Sequence, residues 1–92
     1  MQPFFDYKFQ FHKVGKHELD FEPSDEDTTG AVKYFGFVSY SGAWIIMKMD
    51  TSTPTAITYR YAAGTTAYDT LYWSQRAELT YYYYNQLSTL LD

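Results

Sequence analysis

Two runs of strand-forming residues, Val32–Tyr40 and Ala43–Thr51, are separated only by Ser41-Gly42, the connection length and composition that close a β-hairpin. What constrains the fold most is that neither face of this hairpin is polar. Phe35, Phe37, Ala43, Ile45, Met47 and Met49 fall on one side, and Tyr34, Val38, Tyr40, Trp44 and Ile46 on the other. A hairpin that is apolar on both faces has to lie at the centre of its sheet or between layers. Centring the turn on Ser41-Gly42 pairs Tyr40 with Ala43, Val38 with Ile45 and Phe37 with Ile46.

The flanking segments extend this hairpin into a small sheet. From Phe5 to Lys13 the odd positions are Phe, Tyr, Phe, Phe and Lys while the even ones are polar, which predicts a first strand. Gly15–Gly30 then changes character, carrying Asp20, Glu22, Pro23, Asp25, Glu26 and Asp27 with little periodicity, and reads as an acidic loop or arm. After the turn residues Asp50–Thr55, the alternation of Ile57, Tyr59 and Tyr61 with Thr58, Arg60 and Ala62 predicts a further antiparallel strand, ended by Gly64. Thr66 and Asp69 have the spacing of a capping box ahead of Tyr68, Leu71, Tyr72, Gln75 and Leu79, so a helix is expected from about Ala67 to Leu79. The tail, with Tyr81–Tyr84 and then Leu87, Leu90 and Leu91, fits a second helix or a docking segment. The expectation is one α+β domain over residues 1–92: a small antiparallel β-sheet with one or two packed C-terminal helices and an irregular N-terminal arm. Its parts are a strand and acidic arm (1–31), a β-meander (32–64), and a helix with an aromatic tail (65–92).

Composition excludes several kinds of function. Seven Lys and Arg against eleven Asp and Glu, a net charge of −4, argue against binding a phosphate backbone, which rests on clustered cations. No cysteine is present, so neither a disulfide framework nor a thiolate metal site is expected. No apolar run approaches the ~18 residues needed to span a bilayer, and Met1–Asp6 lacks the basic and apolar regions of a secretion signal. Aromatic residues make up 22% of the chain, eleven of them Tyr. A domain this small hides only about 60–65% of its extended-chain surface, so some of these rings are expected at the surface, where Tyr and Trp favour protein contacts or stacking platforms.

Individual motifs resolve mostly to structure. Lys33-Tyr34-Phe35-Gly36-Phe37-Val38-Ser39-Tyr40 follows the strand motif of RNA-recognition domains except at its second position, but an acidic stretch precedes it and a tight turn follows, where that fold needs helices. The acidic arm lacks the register of a calcium loop, and His12 and His17 have no companion ligands. No nucleophile elbow or nucleophile–base pair emerges, so no catalysis, cofactor or metal is expected. Trp44, Trp73 and the tyrosines could stack on sugars, or could join helix to sheet.

From Tyr34 to about Tyr84 the order is Phe35-Gly36-Phe37, Gly42-Ala43-Trp44-Ile45-Ile46, a Thr/Ser turn, Tyr59-Arg60-Tyr61, Gly64, Tyr68-Asp69, Trp73-Ser74-Gln75-Arg76 and Leu79-Thr80-Tyr81. This order resembles small virion-associated proteins encoded among the structural genes of tailed bacteriophages. The resemblance implies a non-enzymatic component used in many copies, as a capsid decoration, head–tail or collar piece, or tail or fibre attachment module. Other virion proteins would be its partners, in a homo-oligomer or lattice, and the virion its location after synthesis in the host cytoplasm. Gly36, Gly42, Trp44, Gly64, Trp73 and Arg76 would be its structural motif. Tyr81, Tyr82, Tyr83, Tyr84, Leu87, Leu90 and Leu91 would dock on another subunit, with Phe21 in an arm ordered by a neighbour. A module that stacks host glycans is the alternative from a different class.

Overall fold

The computed structural model describes the backbone of residues 9–12 and 18–87 and the side chains of residues 21–87. Five strands follow one another in chain order and in space: β1 (Phe9–His12), β2 (Glu18–Asp27), β3 (Val32–Ser39), β4 (Trp44–Asp50) and β5 (Thr58–Gly64). Each is antiparallel to the next in a single sheet. The two-faced hairpin, β3 and β4, lies inside it as its composition requires.

The hairpin register differs by one residue from the expected one. Val38 faces Trp44, Phe37 faces Ile45 and Phe35 faces Met47, because the turn holds three residues instead of two. The Ser39 N–H donates to the Ala43 carbonyl (2.8 Å), the Gly42 N–H donates to the Ser39 carbonyl (3.1 Å), and Gly42 has φ of +100°. This is a turn closed by a glycine in the left-handed region, which bulges the strand end. The face assignment explains the register. Pairing Phe37 with Ile46 sets residues of opposite faces against each other, whereas the observed ladder keeps Phe35, Phe37, Ile45 and Met47 on one side.

Two cores result, one per face. On the first, Phe21, Phe35, Phe37, Ala43, Ile45, Met47 and Leu87 are buried, with Met49, Tyr61 and Ala63 packed against them. On the second, Trp44, Ile46, Ala62 and Tyr68 are buried beneath a cover of Tyr72, Trp73, Leu79 and Tyr81, with Tyr34 and Val38 alongside. Residues 65–82 therefore fold back over the sheet as a strap.

That strap is not the expected helix. Its helical part is the single wide turn Tyr68–Tyr72, where the Trp73 N–H reaches the Tyr68 carbonyl five residues back; bonds spanning three residues follow to Glu78. The capping box does not form: Ala67 stands at the N-cap in the left-handed region (φ 64°, ψ 29°) with no side-chain cap, and the Thr66 carbonyl accepts the Trp44 Nε1–H at 2.8 Å. The wide turn brings the adjacent rings of Tyr72 and Trp73 down to the sheet together and swings Leu71 outward; regular helical spacing would have buried Leu71 instead. A second short turn, Tyr84–Gln86, completes the helical content of the described residues.

The acidic arm is also corrected. Glu18–Asp27 is strand β2 despite its proline and like charges, with Phe21 opposite Ser39 and Pro23 opposite Phe37. Proline is tolerated there because it adjoins a bulge at Ser24, beyond which Asp25 faces Gly36 and Asp27 faces Tyr34. The connection after Asp27 is a turn, tied by the Asp27 carboxylate, which accepts the Thr29 N–H (3.1 Å) and hydroxyl (2.7 Å).

Two glycines exist for close approach. A Cβ on Gly36 would overlap the Tyr68 hydroxyl and lie 3.1 Å from Trp73, and one on Gly64 would come within 2.6 Å of the Trp44 ring. Gly36→Ala and Gly64→Ala should each lower unfolding free energy by about 1–3 kcal/mol, the ordinary cost of overpacking. Urea titration followed by tryptophan fluorescence measures this, and an unchanged midpoint for Gly36→Ala would mean that Tyr68 does not lie across β3.

Candidate functional site

The bulge at Ser24 decides what the second face can hold. Along an unbroken strand Phe21, Pro23, Asp25 and Asp27 would share one face, and both aspartates would fall on the side of the sheet that carries the phenylalanine core. One extra residue in β2 reverses the parity. Phe21 stays in the first core, while Asp25 and Asp27 pass to the face carrying Tyr34, Gly36 and the strap. There the Tyr68 hydroxyl donates to the Asp25 carboxylate at 2.8 Å. Arg76 donates through Nη2 (2.9 Å) and Nε (3.3 Å) to Asp27.

Aromatic faces hold this clasp. The Arg76 guanidinium carbon lies 4.5 Å from the Trp73 ring centroid and 5.9 Å from that of Tyr34, and its Nη1 donates to the Trp73 carbonyl at 2.8 Å. Trp73 tilts against Tyr68 at 6.0 Å, and Trp44 stacks on Tyr72 at 5.0 Å. The Tyr81 hydroxyl donates to the Arg76 carbonyl at 2.7 Å, and Lys48 sits 5.2 Å from the Tyr81 centroid. Burial pushes the Tyr68 and Tyr81 hydroxyls well above the ordinary tyrosine value of 10, aided at Tyr68 by the adjacent Asp25. Hydrogen bonds from Thr29 and Arg76 hold the Asp27 carboxyl down at about 2.

Chemically the clasp is closed. Among the described residues no buried side-chain nitrogen or oxygen lacks a partner, and no group of three or more His, Asp or Glu converges. Two open grooves flank the strap. One of about 450 Å³ lies between the bulge and the hairpin turn, with Ser24, Ser41, Thr66, Tyr68 and Asp69 among its lining. Another of about 340 Å³ follows the outer side of β5 past Trp44, Gly64, Tyr72 and Tyr82. Among the described residues Asp69 is the one carboxylate lining either groove.

The motif residues Gly36, Trp44, Gly64, Trp73 and Arg76 meet around the strap, and Gly42 closes the hairpin. The expected docking residues divide. Phe21 and Leu87 are core side chains, with relative exposures of 0% and 4%, so neither presents an interface. Tyr81 belongs to the clasp. Tyr82 exchanges two backbone hydrogen bonds of 2.7 Å with Tyr61 on the outer edge of β5. Tyr83 and Tyr84 are open to solvent at 60% and 49%, beside the exposed Tyr59 and Ile57 of the β5 region. Leu90 and Leu91 lie outside the described residues. Phe35 and Phe37, the rings an RNA platform would need, are buried. Asp25, Asp27 and Tyr68 escape a reading of the sequence by residue type; their signal is the parity conflict with Phe21.

Because the Asp27 carboxyl titrates lower folded than the ordinary 3.8, the stability it adds is present above about pH 4 and is lost as pH falls toward 2. Asp27→Asn should flatten that acid limb, measured as urea midpoints across the range. Tyr68→Phe should cost about 1 kcal/mol through the lost hydrogen bond, and should move the onset of alkaline unfolding above pH 10 upward, since the Tyr68 hydroxyl is held neutral in the fold. The chain matches no protein-family model, no curated protein and no solved structure.

Proposed function

We propose that this protein is a non-enzymatic structural component that works through protein–protein contacts, and, following the resemblance of its central segment, a component of a tailed-phage virion. The observation that carries the reading is the distribution of its rings. Among the described residues every buried polar side chain has a partner, while Tyr59, Tyr83, Tyr84 and Ile57 remain exposed along one edge of the sheet. Large, stiff amphipathic rings at an edge are the side chains that contribute most when a surface is covered by another protein. Repetition in a symmetric assembly multiplies such modest contacts.

Sugar stacking would ask for an open indole face. Trp44 is 3% exposed and Arg76 lies on Trp73, which favours protein contacts over a glycan platform.

Light scattering over a range of concentration tests this reading. Replacing Tyr59 and Tyr84 together by Ser should weaken assembly by roughly tenfold or more while leaving the far-UV spectrum unchanged. Binding to a glycan array that the same substitutions abolish, in a chain that stays monomeric, would sink it.

A further inference from the structure

Lys48 and Arg60 stand directly opposite each other where β4 pairs with β5, and like charges so placed repel. Both project on the strap side of the sheet: Lys48 lies over Tyr81, which covers the second core, and Arg60 alternates with Tyr61, which packs on the first. Each cation is laid on a ring, the Lys48 Nζ 5.2 Å from the Tyr81 centroid and the Arg60 guanidinium carbon 4.1 Å from that of Tyr83. Arg60 also donates one N–H to the Tyr59 carbonyl at 2.8 Å. On the same face Arg76 is neutralised by Asp27 at 2.9 Å, but among the described residues neither Lys48 nor Arg60 makes an ion pair.

The surroundings do not answer this pair. Residues 56–64 and 79–87, which carry Arg60 and both rings, contain no Asp or Glu. Asp50, two places beyond Lys48 on β4, accepts the Ser52 N–H at 2.9 Å instead. In a chain of net charge −4, two adjacent cations without a counter-charge are a local reversal of sign. The rings set their spacing. Tyr82 spends its N–H and C=O on Tyr61, so Tyr81 and Tyr83 fall on the same side of an extended segment, about 7 Å apart. A second extended chain repeats its own side chains at that interval. A guanidinium held flat on a ring also keeps its N–H fork aimed and little hydrated, which suits it to a carboxylate.

Resting on the reading of the β5 edge as a protein-contact surface, we infer that Lys48 and Arg60 form the receiving site for an acidic segment of a partner protein. The segment lies extended along Tyr81–Tyr83 with carboxylates at alternate positions, one on Lys48 and the next on Arg60. Its other atoms cover the ring of Tyr83, which is 60% exposed. The ring and the net charge together favour a protein over a phosphate ligand: a bare oxyanion would leave Tyr83 open, and the acidic chain repels a nucleic acid. Occupancy by carboxylates also removes the repulsion between the two cations that the free chain carries.

The test titrates the full chain into a fluorescently labelled peptide of alternating Glu and Thr, read by anisotropy at about 0.02 M and about 0.5 M salt. A control peptide of the same composition carries its Glu residues in one block. The alternating peptide should bind more tightly than the block, and salt should weaken it. Lys48→Gln and Arg60→Gln should each weaken binding about threefold, and together roughly tenfold, with an unchanged far-UV spectrum. Equal affinity for the two peptides overturns the inference, as does affinity indifferent to both substitutions. Inorganic phosphate that binds Lys48 and Arg60 more tightly than the peptide also overturns it, and so does self-association, seen by light scattering, that both substitutions abolish. Absence of peptide binding in a chain whose assembly still depends on Tyr59 and Tyr84 overturns the Lys48–Arg60 site while leaving the contact reading standing.

Discussion

The bulge at Ser24 is the constraint on which the rest depends. A β-strand has a period of two, so a single inserted residue exchanges everything beyond it between faces. In β2 that exchange lets one strand serve two environments: Phe21 enters an apolar core, and Asp25 and Asp27 meet the hydroxyl and guanidinium of the strap. Without it the two carboxylates would lie on the face that carries Phe35 and Phe37, away from the hydroxyl and guanidinium of the strap. The strap would meanwhile lose both of its polar attachments to β2.

Glycine and aromatic residues are complementary across this strap. Gly36 leaves the depth that Tyr68 occupies, and Gly64 leaves that of Trp44. The Phe35-Gly36-Phe37 sequence, which on paper resembles a base-stacking motif, here separates functions by face. Its phenylalanines fill one core, and its glycine admits a tyrosine to the other. A short motif rich in β-formers acquires meaning only from the side of the sheet on which it is read.

How much was legible follows from periodicity. β3, β4 and β5 declare themselves because their alternation is unbroken, and the division of the hairpin into two faces follows from the same rule. The register slipped because a two-residue and a three-residue turn at Tyr40-Ser41-Gly42 share a composition, and only consistency of faces separates them. β2 was hidden by its bulge, since a broken parity looks like no parity. The strap was misread because Tyr68, Leu71, Tyr72 and Leu79 have helical spacing, while the sheet beneath rewards burying Tyr72 and Trp73 side by side. At the site, Trp73 and Arg76 were visible by type, but their partner Asp27 looked like one charge in a solvated run. Tertiary context decided each of these against local preference.

The arrangement of contacts along the chain has a consequence for how the fold is reached. Every strand pairs with its immediate predecessor, so the ladders close by short loops, which is the quick route to a sheet. The clasp instead joins residues 43 and 49 positions apart, and the entropy of closing so long a loop delays it relative to the hairpins. Until Tyr68 and Arg76 arrive, nothing polar rewards β2 for carrying the bulge. A nascent chain not yet synthesised as far as Arg76 can therefore pair β3 with β4 while the parity of β2 is still unset. The strap is thus the part of the chain whose contacts hold Asp25 and Asp27 on their side of the sheet.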